Sequence, residues 1–378
     1  MLGRSDNVQN PICPMNSILV VQLKRLGDVI LTTPALAALC RMFPRARITL
    51  LLHRQGSAVV PAISNVDEVW FHDRKLWLDL LRNRFDVCLD FTGNDRSALF
   101  TFLSKAPRRL GFSFVAKHII RSWVYTELAL SPVQNKHTID HYLDLVRLLG
   151  DPGPNTAVSL RLSNGVERSA ETLRREVGLP ERYFVIHPGT ARREKYWLPD
   201  RWATIITWVQ QRWQIPCLIT GGQKPSELQH INEIMQKLGD RTSVLNLAGK
   251  IDFLMAAAMI RRAAFFVGVD TAAAHLASAF GLPEVVLFGP TNPYHWQPRH
   301  TLGKVVRSGF EAPLTLFEPR QKGAPMNELS TEVVFYAIEA ALKDIDWPGA
   351  DESSSGGDQP ALLPIKGVYN ATQNPRDR

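Results

Sequence analysis

The chain has 378 residues, 45% of them hydrophobic and 21% charged, with a formal net charge of +8. This is the composition of a globular protein long enough for two domains, and it excludes disordered and fibrous classes for most of the length. No apolar run reaches the roughly 18 residues that would suggest a membrane span, and the four cysteines are scattered without a CxxC pair, so neither a zinc site nor a disulfide framework is expected.

In chain order, the first 15 residues are polar, contain Pro11 and Pro14 and lack the apolar centre of a signal peptide. They are read as a disordered N-terminal extension of a cytoplasmic protein. Strand-length apolar runs follow at residues 18–23, 47–52, 68–71 and 87–90, with a weaker one at Arg109-Leu110-Gly111. Helical patterns at 35–42 and 75–83 separate them, the rhythm of a parallel sheet flanked by helices.

The stretch ILVVQLKRLGDVILTTPAL (residues 18–36) places one carboxylate, Asp28, where a buried strand hands over to a helix, just after Lys24 and Arg25. Asp28 is therefore a helix cap or a chemical group. Lys24 and Arg25 suit anionic groups of a ligand or form an ordinary solvated turn.

DPGPN (151–155) breaks the rhythm, and a second alternation begins. Its strands are YFVIHPG (183–189), CLITGG (217–222), SVLNLAG (243–249), FFVGVD (265–270) and EVVLFGP (284–290). Each ends at or near Gly, Pro or Asp, which predicts a second open α/β sheet with ligands at the carboxyl ends of its strands. From Gly349 the composition shifts to Ser, Gly, Asp and Pro, so 349–378 is read as a disordered tail.

The strand ends hold the candidate chemistry. HPGTARREKYW (187–197) joins the Gly189-Thr190 turn to Arg192, Arg193 and Lys195, a setting for phosphate or a solvated basic loop. Trp197 fits a core position. VGVDTAAAHLASAFGLP (267–283) predicts a strand ending at Asp270 and an Ala-rich helix over 271–280, whose positive end would hold a pyrophosphate. Asp270 alone reads as the N-cap. His275, one turn in, is a satisfied histidine or a donor to phosphate or sugar. Glu227, beyond the Thr220-Gly221-Gly222 turn, is a helix-favouring residue or a partner for ribose hydroxyls. Neither a GxxxxGK[ST] loop nor a GxGxxG turn after a strand is present, which weighs against ATP phosphotransfer and NAD-dependent oxidation.

Taken together, RLGDVILTTPAL, HPGT followed by EKYW, ITGG, LAGKI, GVDTAAAHLA and LFGPTNP, in this order, resemble the family 9 glycosyltransferases, the ADP-heptose:lipopolysaccharide heptosyltransferases. The resemblance spans roughly residues 16–347. It implies a GT-B fold, two Rossmann-like domains facing across a cleft: 16–163 for the acceptor and 164–330 for the nucleotide sugar. A C-terminal helix within 331–348 is expected to pack back toward the first domain.

By position, the resemblance makes Asp28 the catalytic base and Lys195 the lysine on the donor phosphates, with Gly189 and Thr190 beside it. Asp270, Thr271 and His275 fall around the pyrophosphate and sugar, Glu227 at the ribose, and Ile251, in the 248–251 loop, on the adenine side. Where the family has Gly after the Asp-Ser/Thr pair, this chain has Ala272, whose methyl group narrows the approach to the phosphates. With the Thr32-Thr33-Pro34 and NPYHWQP segments, this resembles the branch adding heptose to an existing inner-core heptose.

The implied partners are an ADP-heptose donor and a lipid-linked lipopolysaccharide core acceptor at the cytoplasmic face of the inner membrane, met peripherally, with no nucleic acid. No cofactor is implied and a divalent metal is left open. Lys105, Arg108, Arg109, Lys117 and Arg121 form a candidate basic membrane patch, or ordinary surface charge. Two other classes stay open: a GT-B nucleotide-sugar epimerase, and a non-catalytic module binding nucleotide sugar or lipopolysaccharide.

Overall fold

The inner apolar runs become strands buried on both faces, as parallel strands between helix layers must be, while the outer runs at 68–71 and 244–246 are partly buried. The computed structural model describes residues 15–73, 76–239 and 243–345. The expected N-terminal extension, apart from Met15, and the expected tail lie outside them. The first sheet contains β1 (Ser17–Gln22), β2 (Arg47–Leu52), β3 (Glu68–Phe71), β4 (Val87–Asp90), β5 (Arg108–Phe112) and β6 (Glu127–Ala129). The second contains β7 (Phe184–His187), β8 (Cys217–Ile219), β9 (Val244–Asn246), β10 (Phe266–Val269), β11 (Glu284–Phe288) and β12 (Gly303–Arg307).

The strand orders are β3-β2-β1-β4-β5-β6 and β12-β11-β10-β7-β8-β9, with all pairings parallel. Renumbered within its own half, the second order is the first. Both are doubly wound Rossmann orders, with switch points between β1 and β4 and between β7 and β10. Two strands escaped the sequence reading. β6 is three residues long and β12 is bounded by Gly and Arg, so both sheet edges lack a continuous apolar run.

The helices of the first half are α1 (Leu26–Met42), α2 (Leu76–Arg82), α3 (Asp95–Leu103), α4 (Ile119–Ser122) and α5 (Thr138–Arg147). Those of the second are α6 (Asn164–Glu176), α7 (Pro199–Trp213), α8 (Pro225–Leu238), α9 (Phe253–Arg261), α10 (Ala272–Ala279) and α11 (Thr331–Leu342). α1 starts nine residues before the predicted Ala35, running through Pro34. Proline removes the N–H that would bond the carbonyl of Ile30, four residues back. The Thr33 hydroxyl donates to that carbonyl at 2.8 Å, and the Thr32 hydroxyl donates to the carbonyl of Asp28 at 2.8 Å. The two threonines thus keep the turn around the proline bonded.

α1 packs against α10, and the short helical segment Arg54–Ala62 packs against α9. One buried apolar cluster therefore runs from β1 and β2 through α1, α9 and α10 to β10 and β11. Both sheets belong to one unit ending at Asp344. α11 corrects an expectation: its main contacts are with β11, β12 and α7. Its stripe of Val333, Val334, Ala337, Ile338 and Ala341 is buried, and the Phe335 ring lies tilted against Trp208 of α7 with centroids 4.4 Å apart. The second sheet offers this stripe an apolar face, so the helix stays with the half it follows.

Candidate active site

The two switch points supply the walls of a cleft of about 640 Å³. From the first sheet come Arg25, Leu26, Gly27 and Asp28, where β1 turns into α1. From the second come Thr190 and Lys195 after β7, Glu227 on α8, Ile251 after β9, and Asp270, Thr271 and His275 around the start of α10. The walls meet closely at one point: a side-chain carbon placed on Gly27 would lie 3.5 Å from His275 Cδ2.

Asp28 is not a cap. The N-cap of α1 is Arg25, and Asp28 is the third helical residue, where a carboxylate is favoured by the helix dipole. Its Oδ1 accepts a 2.8 Å hydrogen bond from Tyr142 of α5, a fully buried side chain. Burial first, then the charge of Asp28, drives the Tyr142 phenol well above its usual range, so it remains a donor. Lys24 does not line the cleft, and its ammonium stands 5.2 Å from the centroid of the Tyr142 ring. Burial lowers its pKa, with Asp28 and Asp90 opposing that shift.

Opposite Asp28, the turn Arg193–Lys195 delivers Lys195 to the end of β10. Its Nζ lies 2.5 Å from Asp270 Oδ2 and 3.2 Å from the Asp270 carbonyl, with Asp270 buried and the lysine partly so. The Thr291 hydroxyl donates to the same Oδ2 at 3.0 Å. Asp270 is therefore the lysine's counter-ion and not the N-cap. The cap is Thr271, whose Oγ1 accepts from the N–H of Ala273 at 3.3 Å. Ala272 and Ala273 place only methyl groups on the cleft wall at the positive end of α10. The methyl group that separates this chain from the family pattern thus sits on the cleft itself.

Glu227, in the first turn of α8, is 5% exposed and accepts the Gly222 N–H at 2.7 Å. Burial raises its pKa, against the Gly222 hydrogen bond and Lys224. Gly189 does not line the cleft; it makes room, since a side-chain carbon there would collide with Glu227. His187, at the end of β7, does line it, with Nδ1 2.9 Å from Thr220 Oγ1. Burial lowers its pKa to about 4, so its 4.0 Å approach to Glu227 is not an ion pair at neutral pH. His275 is buried, and burial depresses its pKa against the pull of Asp270 and Asp28.

Sequence reasoning missed Tyr142, His187, Thr291 and Trp296, the last also on the cleft wall. Thr291 and His187 lie inside motifs already singled out, whereas Tyr142 has only the look of a core aromatic. Trp197 is core as expected, its Nε1 donating to the Leu329 carbonyl at 2.9 Å.

The expected basic patch is largely consumed internally. Arg108 pairs with Glu127 at 2.7 Å, Arg109 donates to the carbonyls of Val124 and Ala106, and Arg121 pairs with Asp95 at 2.5 Å. Lys105 and Lys117 are exposed. Among the described residues, no group of three or more His, Cys, Asp or Glu side chains is placed to hold a metal ion.

Two facing doubly wound sheets, with one carboxylate across a cleft from a lysine and a helix N-terminus, are the arrangement of a GT-B glycosyltransferase. Residues 73–320 match the family model described as glycosyltransferase family 9 (heptosyltransferase), and the chain belongs to that family. It is thus a glycosyltransferase, which disfavours the epimerase-like and non-catalytic alternatives.

Among curated proteins the chain is similar to lipopolysaccharide heptosyltransferase 3 of Escherichia coli K12, 26% identical over 347 residues, covering 87% of this chain and 98% of that one. Among solved structures it resembles a glycosyl transferase family 9 protein from Veillonella parvula, with TM-score 0.75 and 22% identity over 87% of this chain and 98% of that one. It also resembles the E. coli ADP-heptose lps heptosyltransferase II, with TM-score 0.70 and 19% identity over 86% and 98%.

Proposed function

We propose that the protein transfers heptose from ADP-heptose to the inner core of lipopolysaccharide with inversion at the anomeric carbon. Asp28 takes the proton of the acceptor hydroxyl as its oxygen attacks that carbon. The bond from the carbon to the diphosphate breaks, and ADP leaves with the electron pair. Lys195 and the start of α10 at Thr271 hold the developing charge.

One observation carries this reading: Asp28 and the Lys195–Asp270–Thr271 group come from different sheets yet line one cleft. The names of the relatives supply the sugar and the acceptor class. Thr190, Glu227, Ile251 and His275 complete the donor side, within 164–330, and Gly189 serves it by admitting Glu227. Arg25, on the 16–163 side, faces anionic groups of the acceptor. Because that acceptor is lipid-linked, the protein works peripherally at the cytoplasmic face of the inner membrane.

The acceptor is a core that already carries heptose, a reading supported by Ala272 and the segments around Pro34 and Trp296. The test is transfer from ADP-heptose to truncated core acceptors, with products weighed by mass spectrometry. Addition to the heptose-bearing acceptor alone is expected. Use of a heptose-free core would overturn the subtype, and inactivity on every core acceptor would overturn the function.

A further inference from the structure

Several large apolar side chains stand in solvent on the first-sheet half. Trp77 and Leu81 lie one turn apart on α2, Leu99 and Phe102 on α3, Ile119 at the start of α4 and Trp123 just after its end. Trp123 is 82% exposed, Ile119 75% and Phe102 60%. Isolated exposed apolar residues need no explanation, but these share neighbouring helices. α2 packs on α3. α4 is tied to the start of α3 by the Arg121–Asp95 pair and by Arg121 donating to the Gly93 carbonyl at 3.2 Å.

The position of this face is informative. α3 follows β4 and α4 follows β5, so both begin beyond the carboxyl edge of the first sheet. Asp28 leaves β1 at that same edge. Around the apolar side chains, Arg96, Lys105, Lys117 and His118 are exposed. The exposed carboxylates nearby are Asp95, paired with Arg121, Asp73 just before α2, paired with Arg54, and Asp79 on α2.

We propose that this face is where the protein rests on an anionic phospholipid bilayer. Ile119 and Trp123 enter the interface, where an indole finds both apolar and polar surroundings. Lys117, Lys105 and Arg96 sit among the headgroups. No helix among the described residues is long and apolar enough to cross a membrane, so attachment of this kind relies on surface side chains. The inference rests on the proposed lipid-linked acceptor: a bilayer at this edge presents such a molecule on the Asp28 side of the cleft.

The test is sedimentation of the full chain with vesicles of phosphatidylglycerol and phosphatidylethanolamine, and with phosphatidylcholine alone, in low and high salt. Wild type is expected to bind the anionic vesicles, and Ile119→Ser/Trp123→Ser to bind them at least about tenfold more weakly. ADP binding and transfer to a lipid-free truncated acceptor should be unchanged in that variant.

Lys105→Glu/Lys117→Glu should weaken binding to anionic vesicles and leave any residual binding to phosphatidylcholine unaltered. Wild-type affinity for anionic vesicles in the Ile119/Trp123 variant would overturn the proposal. So would a self-association of wild type that this variant abolishes without moving vesicle binding, since the face would then belong to a second copy. Failure of transfer by wild type on every soluble acceptor would instead strike the proposed function, which the vesicle arm does not read.

Discussion

The Tyr142 hydroxyl donates to Asp28 Oδ1 at 2.8 Å across 114 residues of sequence. A buried phenol holds one carboxylate oxygen, which fixes the orientation of the other. Asp28→Ala should lower kcat for heptose transfer by about 10² to 10⁴-fold with the Kd for ADP little changed. Tyr142→Phe keeps the shape and removes the donor, so kcat should fall roughly tenfold with KM for the donor held. Full turnover by a folded Asp28→Ala protein would show that another group is the base.

Lys195 stands on the second-sheet wall of the cleft, where the proposed reading puts the donor diphosphate. Replacing it with Met removes a charged hydrogen-bond donor, and ADP should bind about 10- to 100-fold more weakly by calorimetry. An unchanged titration would mean that the diphosphate sits elsewhere.

Gly189 acts through Glu227. The collision that any side-chain carbon would cause forces the buried carboxylate out of place. Gly189→Ala should destabilise the fold by about 1–3 kcal/mol and loosen donor binding more than acceptor binding, read by the two KM values.

Histidines screened from water are expected to limit stability in acid. Burial depresses His137 and His141 to about 3, and His187 and His230 to about 4, against 6.5 for the free group. Folded-state pKa values below the unfolded value give stability that is complete above pH 6.5 and is lost as pH falls toward 4. Glu284 opposes this: burial raises it to about 7, so its contribution is complete below pH 4.5 and is lost as pH rises through 7. Burial raises Glu227 and Asp90 in the same sense as Glu284, but the depressed histidines, His275 among them, outnumber these three, so Tm should fall from pH 6.5 to 4. His230→Phe should shallow that fall while keeping the stack on Tyr196.

The two halves are strapped together beside the cleft. Tyr294 donates to the Asn135 carbonyl at 2.8 Å, His295 Nδ1 lies 2.8 Å from the Lys136 carbonyl, and Arg299 grips both oxygens of Asp140 at 2.8 and 2.5 Å. Burial works to raise the Asp140 pKa, and Arg299 nonetheless holds it below the ordinary value. Arg299→Ala should speed amide exchange at 135–140 and 293–299 together, with a stability loss of about 1 kcal/mol. Exchange unchanged in both segments would show that the strap does not depend on this pair.

Ten of the described strands were legible because buried parallel strands need apolar runs, and in the second half Gly, Pro or Asp closes those that were read. The early start of α1 was not. Pro34 reads as an interruption until Thr33 is seen bonding the carbonyl that proline leaves bare. Edge strands β6 and β12 were silent for want of a continuous apolar pattern. In the site, Asp28, Lys195 and the α10 start were found from motifs at strand ends. The cap reading that Asp270 invites when taken alone gives way because a cap and a counter-ion look alike when the distant Lys195 is out of view. Tyr142 is the harder case, a core-like residue whose one polar atom matters only once the chain has folded.

The pairing of Lys195 with Asp270 gives any anion entering the cleft a competitor for the ammonium. A carboxylate tethered in the same fold competes at an effective concentration that a small dissolved anion must overcome. Stray phosphate or sulfate offers the lysine nothing that Asp270 does not already give. A molecule that grips the cleft at several places at once does, so a small anion is expected to be the weaker competitor for this lysine.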